Sequence, residues 1–431
     1  MLLLVFIALC LTPRPSLAEP NQEAVYWEYT ELEEFPYYYE EFQFDNGLTP
    51  MEQVAKNMED DGIHEGHFIL DDFVVGGVNL AQYQAAHPPF LLYEDFDIGS
   101  YVSDGTSHNR WSWKDLLKIR QGLKRPSLSW YVDKVARKRW FAEHKQYPQP
   151  DVYFLQYKDE LSETGRKKDE REIILANLPT NHGFCAKPTH MSMTLGNWLV
   201  DIEPPSADTS RSSIHSGEVR FTKQAKRMTP SDPDGNRYEP HECADSLAEG
   251  LQREAMPIES WALKQVRPGI VIEELFSNHM DTSLPPHEFC MFVVWGKFYV
   301  GQWNEIGDDR YLAGFFYRDG NPAPGCPISK LPDWVPWREL VSMAESLAEH
   351  KDMLRVDMFV GVPRYSNNGA ELQIAVSESE IHPTTMFCNP FIAEDLARLW
   401  VAGYKVGNYV VIPNDEVPSD YRNKDTLEAA A

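Results

Sequence analysis

LRVDMF, residues 354–359, and IAVSESE, residues 374–380, are the two stretches on which the reading of this chain turns. Each has the length and composition of a short buried strand, with apolar residues around a charged one. The polar run Ser366, Asn367, Asn368, Gly369 between them has the residues of a turn. Two strands joined there bring Asp357 toward Glu378 and Glu380, so that three carboxylates face one spot. Carboxylates in an apolar strand are costly to bury unless a cation or a metal pairs with them. Hard oxygen ligands of this kind suit magnesium, which typically takes one or two carboxylates together with the phosphates of a nucleotide. The competing reading has these acids facing solvent or pairing with Arg355.

Outward from this pair, the spacing of WRELVSMAESLAEHKD predicts a helix over 337–352 that leads into the Asp357 strand. EFCMFVVWGKFYVGQW, residues 288–303, reads as a hairpin about Trp295 and Gly296. RPGIVIEELF, residues 267–276, is a short apolar strand ending in Glu273 and Glu274, and a closing helix is predicted over 389–407. Residues 111–141 are locally basic, and their second half places Asp133, Lys134, Arg137, Lys138 and Arg139 on a helix. In an acidic protein such a run suggests a phosphate or anionic-substrate face, although a solvated helix has the same pattern. Residues 151–200 alternate like strands, and those at 184–200 form a hairpin carrying Lys187, a strand lysine that needs an anion beside it. Helical spacing returns at 243–255, after a polar Pro-, Ser- and Asp-rich stretch at 203–240 that reads as an inserted loop or partly disordered segment.

The 431 residues suffice for two or three domains or subdomains, and 42% hydrophobic with 25% charged residues is an ordinary globular composition. A net charge of −26 argues against general binding to nucleic acid or anionic membrane. Residues 1–18 look like a secretory signal peptide: an apolar run at 2–11, too short to span a bilayer, then Ser16 and Ala18 at the small-residue positions. No basic residue precedes the run. Residues 19–45 are crowded with Tyr and Glu and read as a solvated arm, or as aromatics that dock on the body. Without Cys10, five widely spaced cysteines remain, none in a CxxC pair, so a zinc site is not expected and at most two disulfides can form. The expected partition is a signal peptide at 1–18, an acidic extension at 19–104, a main domain at 105–412 with a central subdomain at 172–275, and a polar tail at 413–431.

Taken in order, these pieces resemble an ATP-grasp ligase, and most the branch named for the teichuronopeptide-biosynthesis protein TupA. The matching residues are Asp133, Lys134 and Arg137; Leu178 and Pro179; Phe184, Lys187 and Pro188; Pro268, Ile270, Ile272, Glu273 and Glu274; Gly296 and Lys297; Asp309 and Arg310; Arg355, Val356 and Asp357; and Glu378 with Pro383. The match covers residues 105–410, and no single motif in it is specific. The resemblance implies an α+β class and an ATP-grasp fold, two α+β subdomains clasping a nucleotide, with an N-terminal extension. It implies that Lys187 and Lys134 bind the nucleotide phosphates and that Glu273, with the backbone near Glu274 and Leu275, meets the adenine. Glu288 is implied at the ribose, and Asp357 and Glu378 are implied as magnesium ligands, with Glu380 as a further oxygen ligand.

The implied cofactors are ATP and Mg2+. The implied reaction joins a carboxylate to an amine through an acyl phosphate, with Lys187, Lys134 and Arg310 neutralising the moving phosphoryl group. The branch implies a glycan or polysaccharide acceptor decorated with an amino acid or peptide. With the leader, this places the chain in the lumen of the endoplasmic reticulum or Golgi, or outside the cell, with no nucleic-acid partner and no stable membrane insertion. Two departures stand out. The turn after Lys187 reads THMSM, with no glycine to let backbone N–H groups close on phosphate, and an acid or His287 stands where the aromatic strand commonly carries Lys. The alternative is therefore a pseudoenzyme or glycan-binding module that keeps the fold. A glycosyltransferase or kinase-like enzyme is disfavoured because the acid pairs Asp71-Asp72 and Asp308-Asp309 lack Asp-x-Asp spacing, and a Ser-His-Asp hydrolase for want of G-x-S-x-G.

Overall fold

In chain order the strands are β1 Phe90–Tyr93, β2 Val152–Tyr157, β3 Phe184–Pro188, β4 Trp198–Ile202, β5 Val219–Lys223, β6 Gly269–Glu274, β7 Phe276–Ser277, β8 His287–Val294, β9 Lys297–Ile306, β10 Tyr311–Tyr317, β11 Met353–Pro363, β12 Gln373–Glu380 and β13 Tyr409–Ile412. Among the described residues the helices of ten residues or more are α1 Trp113–Gly122, α2 Lys134–Glu143, α3 Pro240–Gln252, α4 Trp337–Leu347 and α5 Pro390–Val406. The computed structural model describes residues 88–102, 111–162, 169–180, 183–191, 197–202, 219–223, 240–253, 260–282, 284–306, 311–326, 328, 330–364, 371–383, 387 and 390–422.

The larger sheet runs β10-β9-β8-β11-β12, with β7 beside β11, and all its pairings are antiparallel. The β8–β9 turn puts Trp295 at φ 52° and Gly296 at φ 69°, the two positive angles that a two-residue hairpin turn requires. One face is covered by α4, whose Trp337 ring meets Phe289 and Phe298 at 6.3 and 5.4 Å. On the opposite face Phe292 meets Trp113 of α1 at 6.2 Å and Phe387 at 5.4 Å, and Trp113 meets Trp400 of α5 at 5.6 Å. These helices reach only one end of that face. The other end, at Glu288, Cys290 and Asp357, stays polar.

The smaller sheet, β2-β6-β3-β4-β5, is antiparallel throughout and packs one face on α3 and on the helix Glu170–Asn177. Strict alternation sorts its residues. Phe184, Ala186, Ile270 and Ile272 enter the smaller core, while Cys185, Lys187 and Glu273 point the other way, toward α2. Helix α2 joins the two bodies. It packs on β2 and β6, while the short helix Ser129–Val132 just before it packs on β12, where Ser379 Oγ donates to the Tyr131 carbonyl at 2.7 Å.

An α+β class follows from these layers, and both central hairpins and the helices at 337–347 and 390–406 fall where the pattern predicts. Several expectations are corrected. Residues 158–177 do not alternate as strands: Lys158–Ser162 and Glu170–Asn177 are helical, their apolar residues serving a helix face. The stretch at 203–240 is not all loop, since Val219–Lys223 pairs with β4. The smaller body begins at Val152 rather than near 172, because β2 pairs with β6. The boundary at 104 lies too late: Leu92, Phe96, Ile98 and Val102 sit in the larger core, and β1 pairs in parallel with β13. The boundary at 412 lies too early, for Asn414, Val417 and Tyr421 are buried. The predicted signal peptide, arm and early helix lie outside the described residues. Cys326 is disulfide-bonded, and Cys185, Cys243 and Cys290 are free thiols. No helix among the described residues is long and apolar enough to cross a membrane.

Candidate active site

Asp133 is the N-cap of α2 rather than part of it: its Oδ1 accepts from the backbone N–H groups of Val135 and Ala136 at 2.9 and 3.1 Å. The cap sets where the helix starts, so Lys134 and Lys138, four residues apart, project from one face. Lys134 Nζ lies 3.3 Å from Glu378 Oε2 and donates to the Met191 carbonyl at 3.2 Å. Lys138 Nζ is ion-paired with Glu273 Oε2, and Lys187 Nζ lies 2.8 Å from Glu273 Oε1. One carboxylate, 3% exposed, is thus shared by two ammonium groups. Burial alone would raise Glu273, but the two lysines hold it down at about 2. Burial alone would lower Lys187, yet Glu273 and, further off, Glu378 hold it above its ordinary value. Lys138 gains less. Burial, with Lys187 beside it, pushes it down despite Glu273.

The facing wall is the polar end of the larger sheet. Asp357 lies directly across from Glu378, and Arg355 across from Glu380. A register shift follows between Asp357 and Met358, so that Met358 pairs with Val376 and Ser377 is the extra residue. This bulge reverses which way β12 presents its side chains. Val376 stays in the core beside Met358, whereas Glu378 joins Asp357 on the cleft face. Arg355 grips Asp357 through two hydrogen bonds of 2.7 Å, from Nε and Nη2. Even so, burial raises Asp357 above its ordinary value, and Glu378 adds to the effect. Glu288 is pushed up to about 7 by burial and by Asp357, while Asn304 Nδ2 donates to it at 2.9 Å and Gln302 Nε2 in turn donates to Asn304 at 2.8 Å. Glu380 is likewise pushed up to about 7, by burial first and then by Glu378 and Asp357. Glu378 differs, held below its usual range by Lys134.

Two walls of opposite sign therefore face each other across the edge of α2. The small-sheet side carries Lys134, Lys138 and Lys187 with Glu273 inside it. The large-sheet side carries Asp357, Glu378, Glu380 and Glu288 with Arg355 as the counter-ion. Phosphate oxygens suit the first, and a hard cation suits the second. Asp357 and Glu378 fit such a cation as a facing pair of oxygen ligands, raised in number over the positive charge that Arg355 supplies. A three-carboxylate group as expected from the sequence does not form. Among the described residues no three His, Cys, Asp or Glu side chains are arranged to hold a metal ion, because Arg355 takes up Asp357 and Glu380 sits two residues further along the strand.

Other expected residues lie as follows. Glu273 does not offer its side chain to a purine edge, since both of its oxygens face lysines. The Glu274 N–H donates to the Asp151 carbonyl at 2.7 Å, and burial with Asp151 raises its carboxyl. The Leu275 carbonyl accepts from Arg364 N at 2.9 Å. Arg310 lies outside the described residues, as do residues 192–196 of the turn after Lys187. The near part of that turn is pinned: Thr189 N donates to the Gly269 carbonyl at 2.9 Å, and His190 Nε2 is 2.9 Å from the Arg253 carbonyl. Lys138 belongs to the site although the sequence singled it out only as one of a basic run. Its spacing from Lys134 is the signal that would have found it.

No protein-family model matches the chain, and no curated protein does. Among solved structures it is similar to a D-alanine–D-alanine ligase from Bacillus anthracis complexed with ATP, at 14% identity, with 76% of this chain and 78% of that one covered and a TM-score of 0.29. It is similar to the ATP-grasp ligase PsnB complexed with a phosphomimetic variant of a minimal precursor, Mg and ADP, at 11% identity, with coverage of 67% and 66% and a TM-score of 0.30. It is also similar to the macrocyclase MdnC bound with precursor peptide MdnA from Microcystis aeruginosa MRC, at 13% identity, with coverage of 84% and 98% and a TM-score of 0.26.

Proposed function

We propose that the chain is an ATP- and Mg2+-dependent carboxylate–amine ligase of the ATP-grasp type, close to the TupA-like branch, working through an acyl phosphate. The observation that carries this is the pair of opposed walls, three lysines on one and four carboxylates on the other, linked by Lys134 and Glu378. Lys187, Lys134 and Lys138 would meet the phosphates of a nucleotide, and Asp357 and Glu378, with Glu380 near, would hold the magnesium. Bound Mg2+ supplies charge neutralisation at the phosphate oxygens. The protein's part is to bind, align and screen: Lys187 and Lys134 neutralise negative charge that builds up as the phosphoryl group passes to a substrate carboxylate, and Arg310 is assigned to the same task. Arg355 keeps Asp357 oriented by its two-point grip. Glu288, with Asn304 and Gln302 behind it, is a hydrogen-bonding edge suited to a ribose.

The acceptor is proposed to be a glycan or polysaccharide of the secretory pathway, decorated with an amino acid or peptide. The apolar leader at 2–11 and the disulfide at Cys326 support the lumenal location. A second reading, a pseudoenzyme that keeps the fold, is favoured by one feature: Glu273 already occupies both Lys138 and Lys187. The test is an assay of ADP and phosphate release by the purified chain with Mg2+, ATP, and a panel of amino acids and acidic glycans. Release that needs both a carboxylate and an amine supports the ligase. Absence of nucleotide binding at millimolar ATP overturns it in favour of the pseudoenzyme.

A further inference from the structure

We infer that residues 409–422 are a strap that positions α2, and that Tyr421 is a positioning residue for Lys134 and Lys138. The inference rests on the nucleotide reading of that site and deepens it. The strap starts as β13, paired with β1, and then crosses beneath the start of α2. Tyr421, 4% exposed, donates from Oη to Asp133 Oδ2, the oxygen that Tyr157 Oη also reaches at 3.1 Å. The other oxygen of Asp133 caps α2 through Val135 and Ala136. Four residues after Asp133, Arg137 donates from Nη1 to Glu416 Oε1 at 3.1 Å, while Lys351 Nζ lies 2.7 Å from Glu416 Oε2. Asn414 Nδ2 donates to Tyr131 Oη at 3.1 Å, in the short helix just before the cap.

The strap thus holds the back of the first turn of α2 at two points, Asp133 and Arg137. Lys134 and Lys138, the residues that follow each of these, reach the cleft. A helix can rotate or slide on its neighbours while keeping its own hydrogen bonds, so the direction of Lys134 depends on what grips the opposite side. Tyr421 and Glu416 make hydrogen bonds and ion pairs with Asp133, Tyr157, Tyr131, Arg137 and Lys351, none of them a cleft lysine. Their influence is geometric.

Tyr421→Phe is the mild test, since Tyr157 still satisfies Asp133 and the ring still fills its place. Three quantities are measured on the full chain: the thermal midpoint, the exchange rates of the Val135 and Ala136 amides, and the affinity for Mg·ATP. The strap predicts a midpoint within a few degrees of wild type, faster exchange at those two amides, and affinity weakened about fivefold to tenfold, in line with the net worth of one ordinary hydrogen bond. Glu416→Gln should act in the same direction and more strongly. If it fails to fold, Tyr421→Phe decides. Unchanged amide exchange, or faster exchange with affinity unchanged, overturns the inference. If the wild type binds no nucleotide, the functional reading has failed on its own, and amide exchange alone then decides whether the strap orders α2.

Discussion

Glu273 is the residue on which the cationic wall depends. One buried and one half-buried ammonium group, Lys138 and Lys187, share it, and removing one partner of such a charge set leaves the others uncompensated. Glu273→Gln should cost about 3–5 kcal/mol of stability, and inorganic triphosphate, supplying the missing negative charge, should recover part of it. Urea unfolding with and without triphosphate measures both, and a midpoint equal to wild type would show that the lysines do not need the carboxylate. Across the cleft, Asp357→Asn removes one ligand of the facing pair while keeping the shape of the side chain. Turnover should fall by about a hundredfold, or about 3 kcal/mol of barrier, with the far-ultraviolet circular dichroism unchanged. Wild-type ADP release from that variant would take Asp357 out of the metal site.

At the scale of elements, the bulge at Ser377 is what separates core from cleft along β12. Without it, Ile374, Val376, Glu378 and Glu380 would share a face, since all are even-numbered positions of one strand. Deleting Ser377 removes the extra residue yet leaves Val376 opposite Met358 and Glu378 opposite Asp357, so each side chain keeps its face. Val376→Asp, which puts a carboxylate on the core face, should cost more than about 3 kcal/mol, whereas Ser377→Ala, which keeps the extra residue, should change stability by less than about 1 kcal/mol. Thermal melts of the two substituted chains decide the matter. A Val376→Asp chain that melts like wild type would mean that β12 re-registers without penalty.

Over the whole molecule, the surplus of acids on one wall makes stability depend on pH in an uncommon direction. Glu288 and Glu380 are raised to about 7 in the folded protein and titrate near the ordinary carboxylate value when unfolded. Between these limits the folded state holds more protons, so stability falls as pH rises from about 4.5 to about 7. Glu273 has the opposite sign: held at about 2, it contributes above the ordinary value and loses that contribution as pH falls toward 2. Thermal midpoints should therefore decline over the upper window, and added Mg2+ should offset the decline most near its top, where the carboxylates are ionised. A flat profile from pH 5 to 7, or one that Mg2+ does not alter, would contradict this account of the acidic wall.

Sequence alone determined the paired strands within 288–303 and 354–380, most of the long helices and the Trp295–Gly296 turn, because apolar periodicity and backbone angles are local properties. It also determined that Asp357 and Glu378 would meet, since a short turn between two strands leaves few registers. Tertiary structure decided the rest. Arg355 claims Asp357, the Ser377 bulge turns Glu378 to the cleft, Lys138 and Lys187 converge on Glu273 from separate elements, and residues 409–422 dock behind α2. Each of these depends on which groups become neighbours across long separations. Residue order carries no trace of that until packing and the cost of unpaired buried charge select one arrangement.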